Sequence, residues 1–143
     1  MTTVQPSVSV GEAELPRHFP GILSVYKEND WSHARDPERL KTAIEFSSYA
    51  VVATADDEVV GFARAMSDGA FAVYIADILV VPRLHRRGIG RQLLQALLDR
   101  YPMERFHHQV LIAERGAEGF YQALGLVPVS RFGLTAFIRS RDI

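Results

Sequence analysis

The segment from Ala76 to Gly90 constrains the fold of this chain more than any other stretch of its sequence. An apolar run ends at Pro82, a basic turn follows, and Gly88 and Gly90 open a long amphipathic segment. This order predicts a buried strand, a tight loop and the first turn of a helix. Glycines let the backbone N–H groups of a loop converge, and a helix N-terminus carries partial positive charge. The segment therefore predicts a site for an anion such as a phosphate group.

The length and net charge of the chain restrict the class of protein that could carry this anion site. A chain of 143 residues is long enough for one domain with a sizeable core and too short for two ordinary ones. We expect one domain over residues 1–143, with a flexible tail at residues 1–7. The net charge of −1 gives no overall basic field for nucleic acid. The local basic run, residues 83–91, is short and lacks interleaved aromatic residues, so we expect no nucleic-acid partner.

The absence of cysteine excludes disulfides, thiolate zinc sites and cysteine nucleophiles, and it fits a reducing compartment. The first ten residues lack a basic segment followed by an apolar stretch, which a secretory signal would need. No apolar run approaches the ~20 residues that span a bilayer. We expect a cytoplasmic protein with no membrane partner.

Hydrophobic periodicity and capping residues predict four helices. Apolar residues at helical spacing predict a first helix over residues 15–27, and Asp36 followed by Pro37 predicts the start of a second that runs to about residue 47. A third, over residues 88–101, has one apolar stripe, and a short fourth spans residues 117–124.

Runs of apolar and β-branched residues predict the strands of a single sheet. A strand–helix–strand crossover between residues 81 and 110 predicts one parallel pair, and hairpins predict antiparallel neighbours elsewhere. The fold class is α/β (α+β), with a mixed, mostly antiparallel sheet of six to seven strands and helices on both faces. The predicted strands are residues 8–10, 49–54, 59–66, 70–81, 110–113, 127–131 and 134–139.

Two motifs stand on these elements at a characteristic separation. The first is His85-Arg86-Arg87-Gly88-Ile89-Gly90, and the second, Phe120-Tyr121-Gln122-Ala123-Leu124-Gly125-Leu126, follows after the next strand. With them the chain resembles the GNAT superfamily of acetyl-coenzyme A-dependent N-acetyltransferases, whose patterns are Gln or Arg-x-x-Gly-x-Gly or Ala and Phe-Tyr-x-x-Leu-Gly-Phe. The resemblance covers residues 8–139. It implies the GNAT fold, acetyl-CoA as co-substrate, no metal, and transfer of an acetyl group to a primary amine by direct attack.

The resemblance also implies where coenzyme A binds. Backbone N–H groups of the glycine turn would hold the pyrophosphate, with arginine charge nearby, although those arginines could equally be solvated charge at a helix start. Strand-edge amides before the turn would bind the pantetheine arm. His85 stands where the family has Gln or Arg, so its side-chain contact is open. The predicted cofactor-binding residues are Leu79, Val80, Val81, Arg86, Arg87, Gly88, Ile89, Gly90 and Arg91.

Two residues are candidates for proton transfer. Tyr121 matches the family's general-acid tyrosine, which would protonate the leaving thiolate; the alternative is a packed aromatic residue. Asp77 interrupts an apolar strand, where a carboxylate is costly unless it is paired or functional. It is therefore a candidate general base, or else it accepts backbone N–H bonds at a bulge or pairs with an arginine. Glu114 stands where many family members carry asparagine.

The acceptor amine is the least defined part of the expectation. Trp31 with Asp30 and His33 would form one wall of the acceptor pocket, unless Trp31 packs in the core. The acceptor is expected to be a small-molecule amine, with loose similarity to arylalkylamine acetyltransferases of bacteria and plastids. The alternatives are a protein or peptide amine, or a non-catalytic sensor of acyl-CoA. Residues 132–138 are apolar enough for a homodimer interface, or for an intramolecular sheet.

No metal site is expected from the histidines. His107 and His108 are adjacent, so on a strand they would point to opposite faces. No His-x-x-x-His motif suggests zinc, and no Gly-x-Ser-x-Gly elbow suggests a serine hydrolase.

Overall fold

The computed structural model describes residues 7–142, and its sheet has the predicted mixed, mostly antiparallel character. The strand order is β1-β2-β3-β4-β5, antiparallel through β4, with β4 and β5 parallel. The strands are β1 (Val8–Glu12), β2 (Tyr49–Ala55), β3 (Glu58–Ser67), β4 (Ala72–Val80) and β5 (His108–Leu111). The helices are α1 (Phe19–Glu28), α2 (Pro37–Glu45), α3 (Ile89–Arg100) and α4 (Glu118–Ala123).

The described residues form two compact units, one ending at Ile112 and one beginning at Ala113. The first holds the sheet and helices α1 to α3, and the second holds α4. Residues 1–6 of the expected flexible tail lie outside the described residues. Between residues 7 and 142, no helix is long and apolar enough to cross a bilayer.

Aspartates shape both hairpins of the sheet. Asp56 and Asp57 have φ of 51° and 65°, the left-handed pair that a two-residue turn requires to join β2 and β3. In the next turn, Asp68 Oδ1 accepts hydrogen bonds from the N–H groups of Ala70, Phe71 and Ala72. These bonds hold the chain in a loop, so β4 begins two residues later than the sequence predicts.

Helices α1 and α3 cover opposite faces of the sheet, as predicted. Tyr26 of α1 packs against the ring of Phe62 at 5.9 Å, whereas a Cβ on the neighbouring Gly61 would lie 2.9 Å from Leu93 Cδ1 of α3. The side chains of successive strand residues point to opposite faces of the sheet. Because Phe62 contacts α1 and Gly61 approaches α3, the two helices lie on opposite faces. The proline pattern also sets where α1 starts: Pro20 stands in its first turn, and the helix begins after Pro16 rather than including it.

The two predicted C-terminal strands are not formed, so the sheet of the described residues has five strands rather than six to seven. Residues Val129–Phe132 form a 3-10 turn instead, and residues 134–139 are irregular. Pro128 lacks the N–H that a ladder needs, and Gly133 adopts a left-handed φ of 69°. A segment with alternating apolar residues forms a strand only where the edge of another strand is available for pairing.

Candidate active site

The loop between β4 and α3 is ordered by its own main chain. Val81 N–H donates to Val60 O at 2.9 Å, Leu84 N–H to Val81 O at 3.0 Å, and the backbone N–H of His85 to Pro82 O at 3.2 Å. The loop then reverses through two left-handed residues, Arg86 with φ of 64° and Gly88 with φ of 82°. A Cβ on Gly88 would meet nothing within 4 Å, so glycine is needed there for its conformation rather than for space.

The first turn of α3 presents free N–H groups at the end of this loop. The first helical bond runs from Gln92 N–H to Gly88 O at 3.1 Å, so the N–H groups of Ile89, Gly90 and Arg91 precede the helical ladder. Within the described residues, no side chain caps this end. The side chains of Arg86, Arg87 and Arg91 are exposed. Open donors, a helix dipole and three cations together fit a diphosphate group.

Strand β4 runs beyond its partner on the side of β5. Their parallel pairing ends at Ile75 and Leu111, and β4 continues to Val80. Against β3, the register skips Ala76 between Asp77 and Ile75, a bulge of one residue. The edge from Ala76 to Val80 therefore has no β5 partner, which is the kind of strand edge the predicted pantetheine contact requires.

Two side chains already occupy part of that edge. Val80 O accepts a hydrogen bond from Asn29 Nδ2 at 3.0 Å and lies 2.8 Å from His85 Nε2. The N–H of Val81 is bonded within the sheet, so it is not available to the pantetheine arm. The predicted contacts of Leu79, Val80 and Val81 with that arm can therefore use only their other main-chain groups.

Asp77 lies at the centre of a buried polar cluster in the first unit. Its side chain is 5% exposed, and its Oδ2 accepts from Arg64 Nε at 2.6 Å and from the Tyr26 hydroxyl at 2.7 Å. Burial first, and the Asp77 carboxylate second, raise the pKa of Tyr26 far above its ordinary value, so the phenol stays protonated and donates. The arginine pairing considered from the sequence is thus present. Both bonds fall on Oδ2, which leaves Oδ1 for other partners.

Three aromatic rings gather next to that cluster. Trp31 meets Tyr26 edge-on at 5.8 Å, and His33 stacks on Tyr26 at 5.4 Å. Trp31 is half-buried and also lies 5.4 Å from the His33 ring, so it both packs and keeps an open surface. Asp30, which adopts a left-handed φ of 56° after α1, is exposed. Tyr26 therefore connects the predicted acceptor wall to Asp77.

Tyr121 belongs to the second unit and lies on α4. Its ring meets that of Phe120 edge-on at 5.0 Å. Burial first, and the charge of Glu114 second, raise the pKa of Tyr121. The phenol is therefore protonated at neutral pH, as a proton donor must be.

The rings of His107 and His108 are not arranged as predicted. His107 Nδ1 and His108 Nδ1 lie 2.9 Å apart with perpendicular rings, so the expectation of opposite faces is wrong. His107 precedes β5, and both backbone N–H groups donate to Phe71 O, a local turn that brings the rings together. In the part of the chain that the structure describes, no group of three His, Asp or Glu side chains could hold a metal ion.

Sequence reasoning missed three residues of the site: Tyr26, Arg64 and Asn29. Arg64 had a signal, because it is the one charged side chain inside the apolar run of β3 and lies opposite Asp77 in a hairpin. Tyr26 lies within the predicted first helix, and only the tertiary structure shows that its hydroxyl reaches β4. Asn29 ends α1 and gives no sequence signal of its bond to Val80.

Comparison with known proteins places these features in a family. The family model for an acetyltransferase (GNAT) domain matches residues 20–139. The chain is 33% identical over 114 residues to the rice protein named serotonin N-acetyltransferase 2, chloroplastic, a match that covers 76% of this chain and 56% of the relative. The chain thus spans about half the length of that curated relative.

Solved structures share the fold. A GNAT family acetyltransferase from Streptococcus pneumoniae superposes with a TM-score of 0.81 at 26% identity, covering 94% of this chain and 98% of that one. The aminoglycoside N-acetyltransferase AAC(6')-Iy, solved in complex with CoA, gives a TM-score of 0.68 at 20% identity, covering 99% of each chain. At 20% identity, the comparison with AAC(6')-Iy shows a shared fold and nothing more.

Proposed function

This chain belongs to the GNAT family of acetyltransferases, and on that premise we propose that it transfers an acetyl group from acetyl-CoA to the primary amine of a small molecule. The observation that carries the proposal is the left-handed turn at Arg86 and Gly88, which delivers the open N–H groups of α3 to one place among three exposed arginines. The solved complex of AAC(6')-Iy with CoA supports the choice of coenzyme.

The chain's own groups account for coenzyme binding in two parts. The amides of Ile89, Gly90 and Arg91 and the arginine charges bind the pyrophosphate. The free edge of β4 beyond Ile75 receives the pantetheine amides as an added strand would. Neither contact depends on an apolar side chain, so Leu79 and Val80 act through the main-chain groups that remain open. Val81 contributes least, because its N–H and O already bond to Val60 and Leu84.

The acceptor lies against the ring surface that Trp31 and His33 leave open beside Tyr26. An aromatic ring surface suits a small arylalkylamine, and the match to the rice protein named serotonin N-acetyltransferase favours that class. The exposed carboxylate of Asp30 attracts the acceptor while it is still an ammonium ion.

Proton transfer accompanies the direct attack. The ammonium loses a proton to Asp77 Oδ1, directly or through water, while Arg64 and Tyr26 hold Oδ2. The amine nitrogen then bonds to the thioester carbonyl carbon, the C–S bond breaks, and the electron pair leaves on sulfur. The Tyr121 phenol gives that thiolate its proton, which its raised pKa keeps available. The acylated nitrogen then loses its second proton, which returns through water to the Tyr121 phenolate, and Asp77 releases the first proton to solvent. The products are an amide, free CoA thiol and one proton.

A free-thiol release assay with a panel of amines tests the proposal. We expect acetyl-CoA to release thiol only when an amine is present, with arylalkylamines ahead of aminoglycosides and of peptides with a free N-terminus. Faster release with the peptides would identify a protein or peptide acceptor instead. Thermal stabilisation by acetyl-CoA with no turnover on any amine would identify a non-catalytic sensor.

A further inference from the structure

The side chain of His85, in the glycine motif, bonds back to the sheet. Its Nε2 lies 2.8 Å from Val80 O, at the last residue of β4. A carbonyl oxygen only accepts, so this nitrogen must carry the hydrogen and donate. The bond closes a ring of main chain from Val80 to His85, just before the left-handed Arg86.

The carbonyl that His85 holds is fixed from the other side as well. Asn29 Nδ2 donates to both Val80 O and Val25 O, which ties the end of α1 to the end of β4. Val80 O is therefore a rigid point on the sheet rather than a mobile loop atom. A donor bonded to it restrains the loop relative to the sheet.

We propose that His85 is a positioning residue that holds the loop before α3 in its anion-binding conformation through the Nε2–H bond to Val80 O. The proposal rests on the coenzyme site described under the proposed function. Without the bond, residues 82–88 sample other conformations, and the amides of Ile89, Gly90 and Arg91 meet the pyrophosphate only in a fraction of them. The affinity for the coenzyme then falls in proportion to the population of the binding conformation.

The chemistry of the side chain makes the proposal specific. The amide nitrogen of glutamine is separated from Cα by as many bonds as Nε2 of histidine, whereas that of asparagine is one bond nearer. Glutamine can therefore reach Val80 O and asparagine falls short. The Gln or Arg that the family motif carries at this position supplies a donor of at least this reach, so histidine here preserves the donor rather than losing it.

The test compares His85→Ala, His85→Asn and His85→Gln in steady-state assays with acetyl-CoA and the best amine. We expect His85→Ala and His85→Asn to raise the KM for acetyl-CoA about five- to ten-fold, the factor for one lost neutral hydrogen bond, with kcat little changed. His85→Gln should stay within about two-fold of the wild type. Equal KM values for all four proteins, or a glutamine variant as weak as the alanine variant, would overturn the proposal.

Glu58→Gln is the matched control, because it loosens a different contact of the same loop. Glu58 Oε1 accepts from Arg83 Nη2 at 2.9 Å, and both side chains are more than half exposed. Such a surface pair contributes little, so this variant should keep the wild-type KM. A rise in KM equal to that of His85→Ala would show that any loosening of the loop suffices, and would overturn the specific role of His85.

A measurement without ligand separates this proposal from the proposed function. In the free protein, ring nitrogen shifts should show His85 protonated at Nε2, and the backbone amides of Leu84 and His85 should exchange faster in His85→Ala than in His85→Gln. Wild-type protein that neither binds nor uses acetyl-CoA would overturn the proposed function, whereas unprotonated Nε2 or equal exchange would overturn the role of His85.

Discussion

Asp77 shows how one buried carboxylate can serve both the fold and the reaction. Its Oδ2 is held by Arg64 from β3 and by Tyr26 from α1, so three elements meet at one oxygen. Breaking such a buried pair by removing one partner typically costs about 3–5 kcal/mol, because the other charge is left uncompensated. The two roles nevertheless separate, since the structural bonds use one oxygen and the proposed proton transfer uses the other.

Asp77→Asn tests the proposed base. We expect it to flatten the acidic limb of the pH–rate profile, because an amide cannot take the proton from the acceptor ammonium. Tyr26→Phe is the control: it removes a bond to the buried Oδ2, lowers the free energy of unfolding by about 1.5–3 kcal/mol and keeps the limb. A folded Asp77→Asn protein with an unchanged acidic limb would leave Asp77 with the structural role alone.

Tyr121→Phe removes the proposed proton donor while keeping the ring. We expect kcat to fall roughly ten-fold or more, within the range for lost acid–base assistance. Tyr74→Phe, on the exposed side of β4, should leave kcat unchanged. An unaltered rate for Tyr121→Phe under chemistry-limited conditions would remove this role.

Glu114→Gln tests the electrostatics around that phenol. The Glu114 charge raises the pKa of Tyr121, as the smaller of two causes after burial. Removing the charge should therefore lower this pKa without restoring its ordinary value. The tyrosinate absorbance titration, taken as a difference from the Tyr121→Phe protein, measures it. A pKa that stays the same or rises would contradict the described surroundings of Tyr121.

At the scale of elements, α1 lies close to the sheet because Gly21 has no side chain. A Cβ there would lie 2.7 Å from Val59 Cβ of β3. The helix carries Tyr26 and is capped at its C-terminal end by Asn29, so its distance from the sheet sets the bonds to Asp77 and to Val80. Close approach at one glycine therefore fixes two contacts of the site.

Gly21→Ala should destabilise the protein although alanine favours helix by about 1 kcal/mol. Overpacking typically costs about 1–3 kcal/mol, and the contacted atom is a Cβ that cannot rotate away. Val59→Ala keeps the Cβ but removes Cγ2, which would lie 2.8 Å from the new methyl group, so it should recover part of that loss in the double variant, measured by urea denaturation. Additive effects of the two changes would contradict direct contact.

The elements also show what the sequence could and could not predict. The motif from β4 through the loop to α3 was predicted because Pro82, Gly88 and the apolar stripe act locally. The strands expected at 127–131 and 134–139 were wrong, since alternation does not supply a pairing edge and Pro128 and Gly133 favour a turn. The His107 and His108 contact was missed because it depends on where β5 begins.

For the whole molecule, the family was predictable and the polar cluster was not. The family resemblance needed only two motifs on the right elements, and the family model over residues 20–139 confirmed it. The bonds among Tyr26, Arg64 and Asp77 depend on the register of β3 against β4, which shifts at Ala76. A one-residue bulge of this kind leaves no mark in hydrophobic periodicity. The sequence therefore allowed an arginine partner for Asp77, but only the structure identifies Arg64 and Tyr26 as its partners.

Coenzyme A is proposed to bind through its pyrophosphate at the turn from Arg86 to Arg91. A titration of the nitrogen-15-labelled protein with CoA, followed by amide chemical shifts, tests it most directly. We expect the largest saturable shifts at the amides of residues 86–91. No shift at any amide up to millimolar CoA, or saturable shifts confined to other residues, would contradict it.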